Sequence, residues 1–201
     1  MSKISLSPHV SGTGNFTIAS PNSSTDRTLT LPDNTGTILT SASNTNFPAG
    51  SVLQVVQATL TSQVSSTATS YTNIGLSASI TPSSSSNRIL VLSQVSGSTN
   101  GNAGTFLQIF RNGSAVIQGD ANGSRQRTLS QSLYTTAVNS GVPISMMYLD
   151  SPSSTSSITY DIRCANLEDS TAWYINRSAN NFNGSYGYTS VSTLVLMEIK
   201  G

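Results

Sequence analysis

The densest group of side chains able to do chemistry lies between Trp173 and Tyr188, where Trp173, Tyr174, Arg177, Phe182, Tyr186 and Tyr188 are interleaved with Asn, Ser and Gly. The chemistry this composition suits is recognition rather than bond breaking. Aromatic rings supply large contact area at low entropic cost, and Asn and Ser supply adaptable hydrogen bonds. Aromatic faces beside amides also suit sugar rings, so these six residues are the candidate contact with a ligand or a partner surface. Packing along a subunit boundary, or across the end of a β-sandwich, is the competing use of the same side chains.

Reactive groups are scarce elsewhere. His9 is the sole histidine and stands near the start of the chain, so a Ser-His-Asp or Cys-His arrangement in the main part of the sequence is excluded. One histidine and one cysteine, Cys164, cannot make a zinc site. Asp120-Ala121-Asn122-Gly123 has the outline of a calcium loop but lacks the closing carboxylate, which favours a simple turn. Glu168 and Asp169 are adjacent carboxylates, and neighbours in a loop are usually solvated rather than an acid/base pair. No Gly-rich phosphate loop precedes a helical pattern. The expectation is a protein that is not an enzyme and needs no metal or other cofactor.

Composition points the same way. Charged residues make up 8% of the 201, against roughly 25% in an average soluble protein. A formal net charge of +1 gives no electrostatic footprint for nucleic acid or anionic lipid. So few charges also leave a free monomer poorly protected against association, which suits a member of an assembly. A single cysteine rules out an intrachain disulfide. Met1-Ser2-Lys3-Ile4-Ser5 is not followed by an apolar h-region, so no signal peptide is expected. No apolar run approaches the roughly 20 residues of a membrane span, so no membrane insertion is expected.

The elements that must position these residues read as strands. Ile158, Tyr160, Ile162 and Cys164 alternate with Thr159, Asp161 and Arg163, a period of two with one dry face. Phe106–Arg111 leads through Asn112-Gly113 into Ser114–Ile117, and Asn-Gly between two such runs predicts a two-residue type I′ hairpin. Further strands are expected at 51–60, 71–80, 88–96, 127–134, 141–149, 172–176 and 191–200. Helical spacing is absent. The pattern predicts an all-β, antiparallel, jelly-roll-type sandwich.

The last strand is apolar on both faces: Val191, Thr193, Val195, Met197 and Ile199 on one, Leu194 and Leu196 on the other. One face can meet the sandwich core. The other meets either a neighbouring subunit or a long covering loop.

Residues 1–47 behave differently from 48–201. Their apolar side chains are few, chiefly Phe16, Ile18, Leu29, Leu31, Ile38 and Leu39. Thr28–Leu31 and Thr37–Thr40 flank Pro32-Asp33-Asn34-Thr35-Gly36 and read as a hairpin. A segment this short cannot support its own core and must borrow surface from other copies or a docking partner. The polar stretch Ser41–Gly50 marks the boundary.

Gly14–Asn22 and Asp26–Thr40 resemble a segment common in tail-fibre-like and other virion structural proteins of marine phages and cyanophages. Ala78–Val91 and Leu194–Ile199 are similar to the globular domains that follow it. The resemblance implies a homotrimer made in the host cytoplasm and carried on the virion surface. In it, Phe16, Ile18, Leu29, Leu31, Ile38 and Leu39 seat the N-terminal module on tail or capsid proteins. Val195, Met197 and Ile199 contact neighbouring subunits, and the distal domain faces a host glycan or protein. Two roles remain open at this point: a surface fibre or spike, and a capsid decoration or cement protein.

Overall fold

The computed structural model describes residues 47–201 except 100, 131, 132, 136–138, 168–170 and 186, together with residues 10–15, 17, 19, 22–26, 28, 30, 33 and 35. The chain separates into two compact units, Met1–Ile38 and Leu39–Gly201. In the first, every described residue is exposed, and a bond from Thr25 N to Ser23 Oγ closes a short polar turn. The six apolar residues expected to anchor this unit, the 28–40 hairpin they belong to and residues 41–46 of the expected linker lie outside the described residues or are broken by gaps in them.

The second unit is all-β. Its strands are β1 (Val52–Leu60), β2 (Val64–Ser66), β3 (Thr72–Ile80), β4 (Arg88–Thr99), β5 (Gly101–Arg111), β6 (Ser114–Ala115), β7 (Leu133–Thr135), β8 (Val142–Asp150), β9 (Ile158–Asn166), β10 (Trp173–Ile175) and β11 (Ser192–Ile199). Among the described residues every pairing is antiparallel. Six strands form one sheet, in the order β1-β11-β4-β10-β2 with β8 on the far side of β4. Five form the other, in the order β3-β9-β5-β6 with β7 also on β5. The two stack as a jelly-roll-type sandwich.

Period-two patterning explains why these segments are strands. In β9, Ile158, Tyr160, Ile162 and Cys164 are at most 3% exposed and fill the gap between the sheets. They meet Ile89, Val91 and Val95 of β4 and Leu194 and Leu196 of β11 in one hydrophobic core. Burying each such aliphatic side chain stabilises the fold by roughly 1.5–3 kcal/mol. Asn112 and Gly113 have φ of 47° and 87°, and Arg111 pairs with Ser114, so the expected two-residue hairpin is present. Positive φ at both turn positions matches the right-handed twist of the flanking strands.

Two strand expectations need correction. Among the described residues of the segment expected as a strand at 127–134, only Leu133 and Tyr134 lie in a strand. Before that it runs along β5 on one backbone bond, Ser130 N to Leu107 O at 3.4 Å, and on side chains: Leu107 N donates to Ser130 Oγ at 2.9 Å, and Leu129 N donates to Gln108 Oε1 at 2.7 Å. Gln108 also donates to the Ile117 carbonyl, so a buried amide takes the place of a backbone ladder. The short strand β2 was not foreseen, because Val64-Ser65-Ser66 carries a single apolar residue and only its pairing with β10 reveals it.

Candidate interaction surfaces

The outer face of the six-stranded sheet carries an apolar stripe. Strand register places Val55, Met197, Leu90 and Leu149 side by side across β1, β11, β4 and β8. The next row runs Gln57, Val195, Leu92 and Met147. Four strands at about 4.8 Å spacing make this stripe roughly 15 Å across. Met147 is 68% exposed, Val55 56% and Leu149 40%. Val52, also exposed, extends the stripe beside Ile199. Contiguous apolar surface of this kind marks interaction sites on soluble proteins. Leu194 and Leu196, on the opposite face of β11, are fully buried in the core.

The six aromatic and basic residues between 173 and 188 do not form one site. Trp173 is 1% exposed and belongs to the core cluster, so it presents nothing to a ligand; this corrects its expected role. Its position on β10, inward-facing between β2 and β4, is the physical reason. Tyr174 points to the other side and stacks under the Arg177 guanidinium, with the cation 4.3 Å from the ring centre. Phe182 and Tyr188 line a separate recess of about 490 Å³ with Gln63, Ser178, Asn181 and Asn183. Tyr186 lies outside the described residues.

The loop that bears the recess is pinned by Asn176. This residue is fully buried with φ of 62°. Its Nδ2 donates to the carbonyls of Leu60 (2.8 Å) and Ser62 (3.0 Å), and its Oδ1 accepts from Ser192 Oγ at 2.7 Å. Its backbone N donates to Ser96 O at 2.9 Å. One amide therefore ties the ends of β1, β4, β10 and β11 together. Tyr188 Oη donates to Arg177 O at 3.1 Å, which closes the loop on itself.

Three of the described carboxylates, Asp150, Asp161 and Glu198, are committed to structure. Asp150 accepts from Arg111 at 2.7 Å and from Tyr160 Oη at 2.6 Å, joining the two sheets at one end. Burial, followed by the Asp150 bond, raises the Tyr160 phenol far above its usual range. Asp161 pairs with Arg163 at 2.6 Å, and that guanidinium lies 4.2 Å above the Phe110 ring. Glu198, 1% exposed, accepts from Gln54, Asn87 and Ser83. Asp120 is exposed, just ahead of a turn that Arg125 N closes onto Asn122 O. Among the described residues no group of three His, Cys, Asp or Glu could hold a metal ion. Glu168 and Asp169 are outside the described residues, as is His9.

An antiparallel β-sandwich with a partly exposed apolar sheet face and a pinned polar loop is thus the class of protein this structure defines. No protein-family model matches the chain, and no curated protein matches it in sequence. Among solved structures it is similar to the VP2 subviral particle of infectious bursal disease virus, at 16% identity over 74% of this chain and 38% of that one, with a TM-score of 0.36. It is also similar to the T=1 particles derived from infectious bursal virus, at 14% identity over 82% of this chain and 41% of that one, with a TM-score of 0.35. The chain spans about two fifths of the length of each.

Proposed function

We propose that this chain is a virion structural protein of a phage, a homotrimeric surface fibre or spike that acts by shape and multivalent contact and not by catalysis. The observation that carries the assembly reading is the partly exposed apolar stripe centred on Val195 and Met197. Apolar surface left in water favours association by roughly 25 cal/mol for each Å² covered. The partner that fits is a second copy, because the rows from Val55 to Leu149 and from Gln57 to Met147 carry no charge that would repel their own kind, and Arg88 stands only at their margin, beside Ile199. The virion reading draws on the sequence resemblance. Its two C-terminal segments, 78–91 and 194–199, fold against each other as neighbouring strands β4 and β11, joined through Glu198 and Asn87. In this reading residues 1–47 seat the protein on the particle.

Two measurements test it. Light scattering on the purified chain is expected to give three times the 21.0 kDa chain mass, and a stable monomer at 21.0 kDa overturns the assembly reading. Antibody labelling of intact particles by electron microscopy is expected to show a few spots on the tail. Label spread over the head assigns the protein to capsid decoration instead, and particles without label remove the virion reading.

A further inference from the structure

The recess beside Phe182 has a chemistry of its own. It is lined by the amide residues Gln63, Asn181 and Asn183, by Ser178, whose hydroxyl is taken up by Asn180 Oδ1, and by Phe182 and Tyr188, with no charged residue in the lining. Its volume of about 490 Å³ falls inside the roughly 300–1,000 Å³ of small-molecule sites.

Phe182 is 50% exposed, and its ring lies close against Gly184. A Cβ at Gly184 would lie 2.5 Å from a ring carbon, and one at Gly187 would lie 1.8 Å from the Phe182 carbonyl oxygen. Both glycines are needed for so close an approach. Gly187 N donates to Gly184 O at 2.8 Å, Phe182 N donates to Asn180 Oδ1 at 3.2 Å, and Asn181 N donates to Ser178 O at 3.3 Å. These bonds hold the loop backbone, which presents a half-exposed ring beside several amides.

This lining discriminates among ligand classes. An anion or cation would find no counter-charge. A hydrocarbon would strip water from amides and hydroxyls that it cannot replace. A ligand whose groups both donate and accept hydrogen bonds, and which has one apolar C–H face, satisfies the amides and covers the ring together. We propose that this recess is a binding site for a neutral saccharide, with Phe182 as the stacking platform and Asn181, Asn183 and Gln63 as the hydroxyl-reading amides. The inference stands on the loop geometry and does not depend on the virion reading.

Saturation-transfer NMR tests it on the full chain, with glucose, galactose, mannose and N-acetylglucosamine as probes at millimolar concentration. Transfer to the ring protons of at least one sugar is expected, falling at least fivefold in Phe182→Ala and in Asn183→Ala and persisting in Phe182→Trp. Asn122→Ala, in an exposed turn away from the lining, is expected to leave the signal unchanged. Phe182 and Asn183 are both exposed, so neither variant should impair folding. Absence of transfer from all four sugars overturns the proposal, and so does equal transfer in wild type, Phe182→Ala and Asn183→Ala.

Discussion

Glu198 Oε1 accepts a hydrogen bond from Asn87 Nδ2 at 2.6 Å across 111 residues of sequence, and neither residue is more than 2% exposed. Ser83 N (2.6 Å) and Ser83 Oγ (2.8 Å) donate to the same oxygen, while Gln54 Nε2 donates to Oε2 at 2.6 Å. A carboxylate inside a sandwich is costly unless its lone pairs are filled, and here they are. The arrangement joins the end of β11 to the turn before β4 and to the edge strand β1.

Acid is expected to weaken the fold through this residue. Burial alone would raise the Glu198 pKa, but the bonds from Asn87, Gln54 and Ser83 outweigh it and hold the carboxyl below its ordinary 4.5. As the pH falls below that ordinary value, the unfolded chain takes up a proton before the folded one. The contribution is therefore complete above about pH 4.5 and lost as the pH drops through the lower folded-state value. Urea midpoints measured between about pH 3 and 7 should show this slope, and Glu198→Gln should flatten it. An identical slope in the variant would assign the acid sensitivity elsewhere.

Asn176→Ala is expected to cost about 3 kcal/mol, because two buried carbonyls and a serine hydroxyl lose their partner and an alanine is placed at positive φ. Chemical denaturation measures it. Asn176→Asp should cost a comparable amount, since a carboxylate cannot donate to Leu60 O and Ser62 O.

The two faces of β11 should respond oppositely to charge. Val195→Lys with Met197→Lys is expected to leave the circular dichroism spectrum unchanged and lower the mass in light scattering to that of a single chain. Leu196→Lys, on the core side, should prevent folding by placing an unpaired charge where nothing can meet it, a loss above roughly 4 kcal/mol. A folded trimer that survives the double substitution would move the interface off this sheet.

Cys164 should be inert to thiol reagents in the native protein. It is fully buried on β9, and burial pushes its thiol well above the ordinary range, so the thiolate is scarce. Labelling is expected only at the rate of global opening, rising with denaturant in step with the loss of folded protein. Fast labelling in buffer would mean that β9 opens independently of the sheet.

Strand alternation made most of the sandwich legible in the sequence. Ile158 to Cys164 and the Asn112-Gly113 turn needed no tertiary information, since side-chain period and positive φ are local properties. The 127–130 segment was misread because its partner is the Gln108 side chain, and a side chain that substitutes for a ladder leaves no period in the strand it holds. Trp173 was misread for a related reason: a three-residue strand is too short for its period to say which face points inward.

The sequence by itself determined an all-β chain poor in charge and poor in reactive groups, with a last strand apolar on both sides. Those properties follow from residue types and their spacing, which no fold can alter. Only the tertiary structure decided what each face of that strand meets. It set Val195 and Met197 in rows with Leu90, Leu92, Met147 and Leu149, residues from two distant segments, because register between strands depends on pairings the chain makes far from itself. It also separated Trp173 from Phe182 and Tyr188, nine or more positions along one loop, by turning the first inward and the others out.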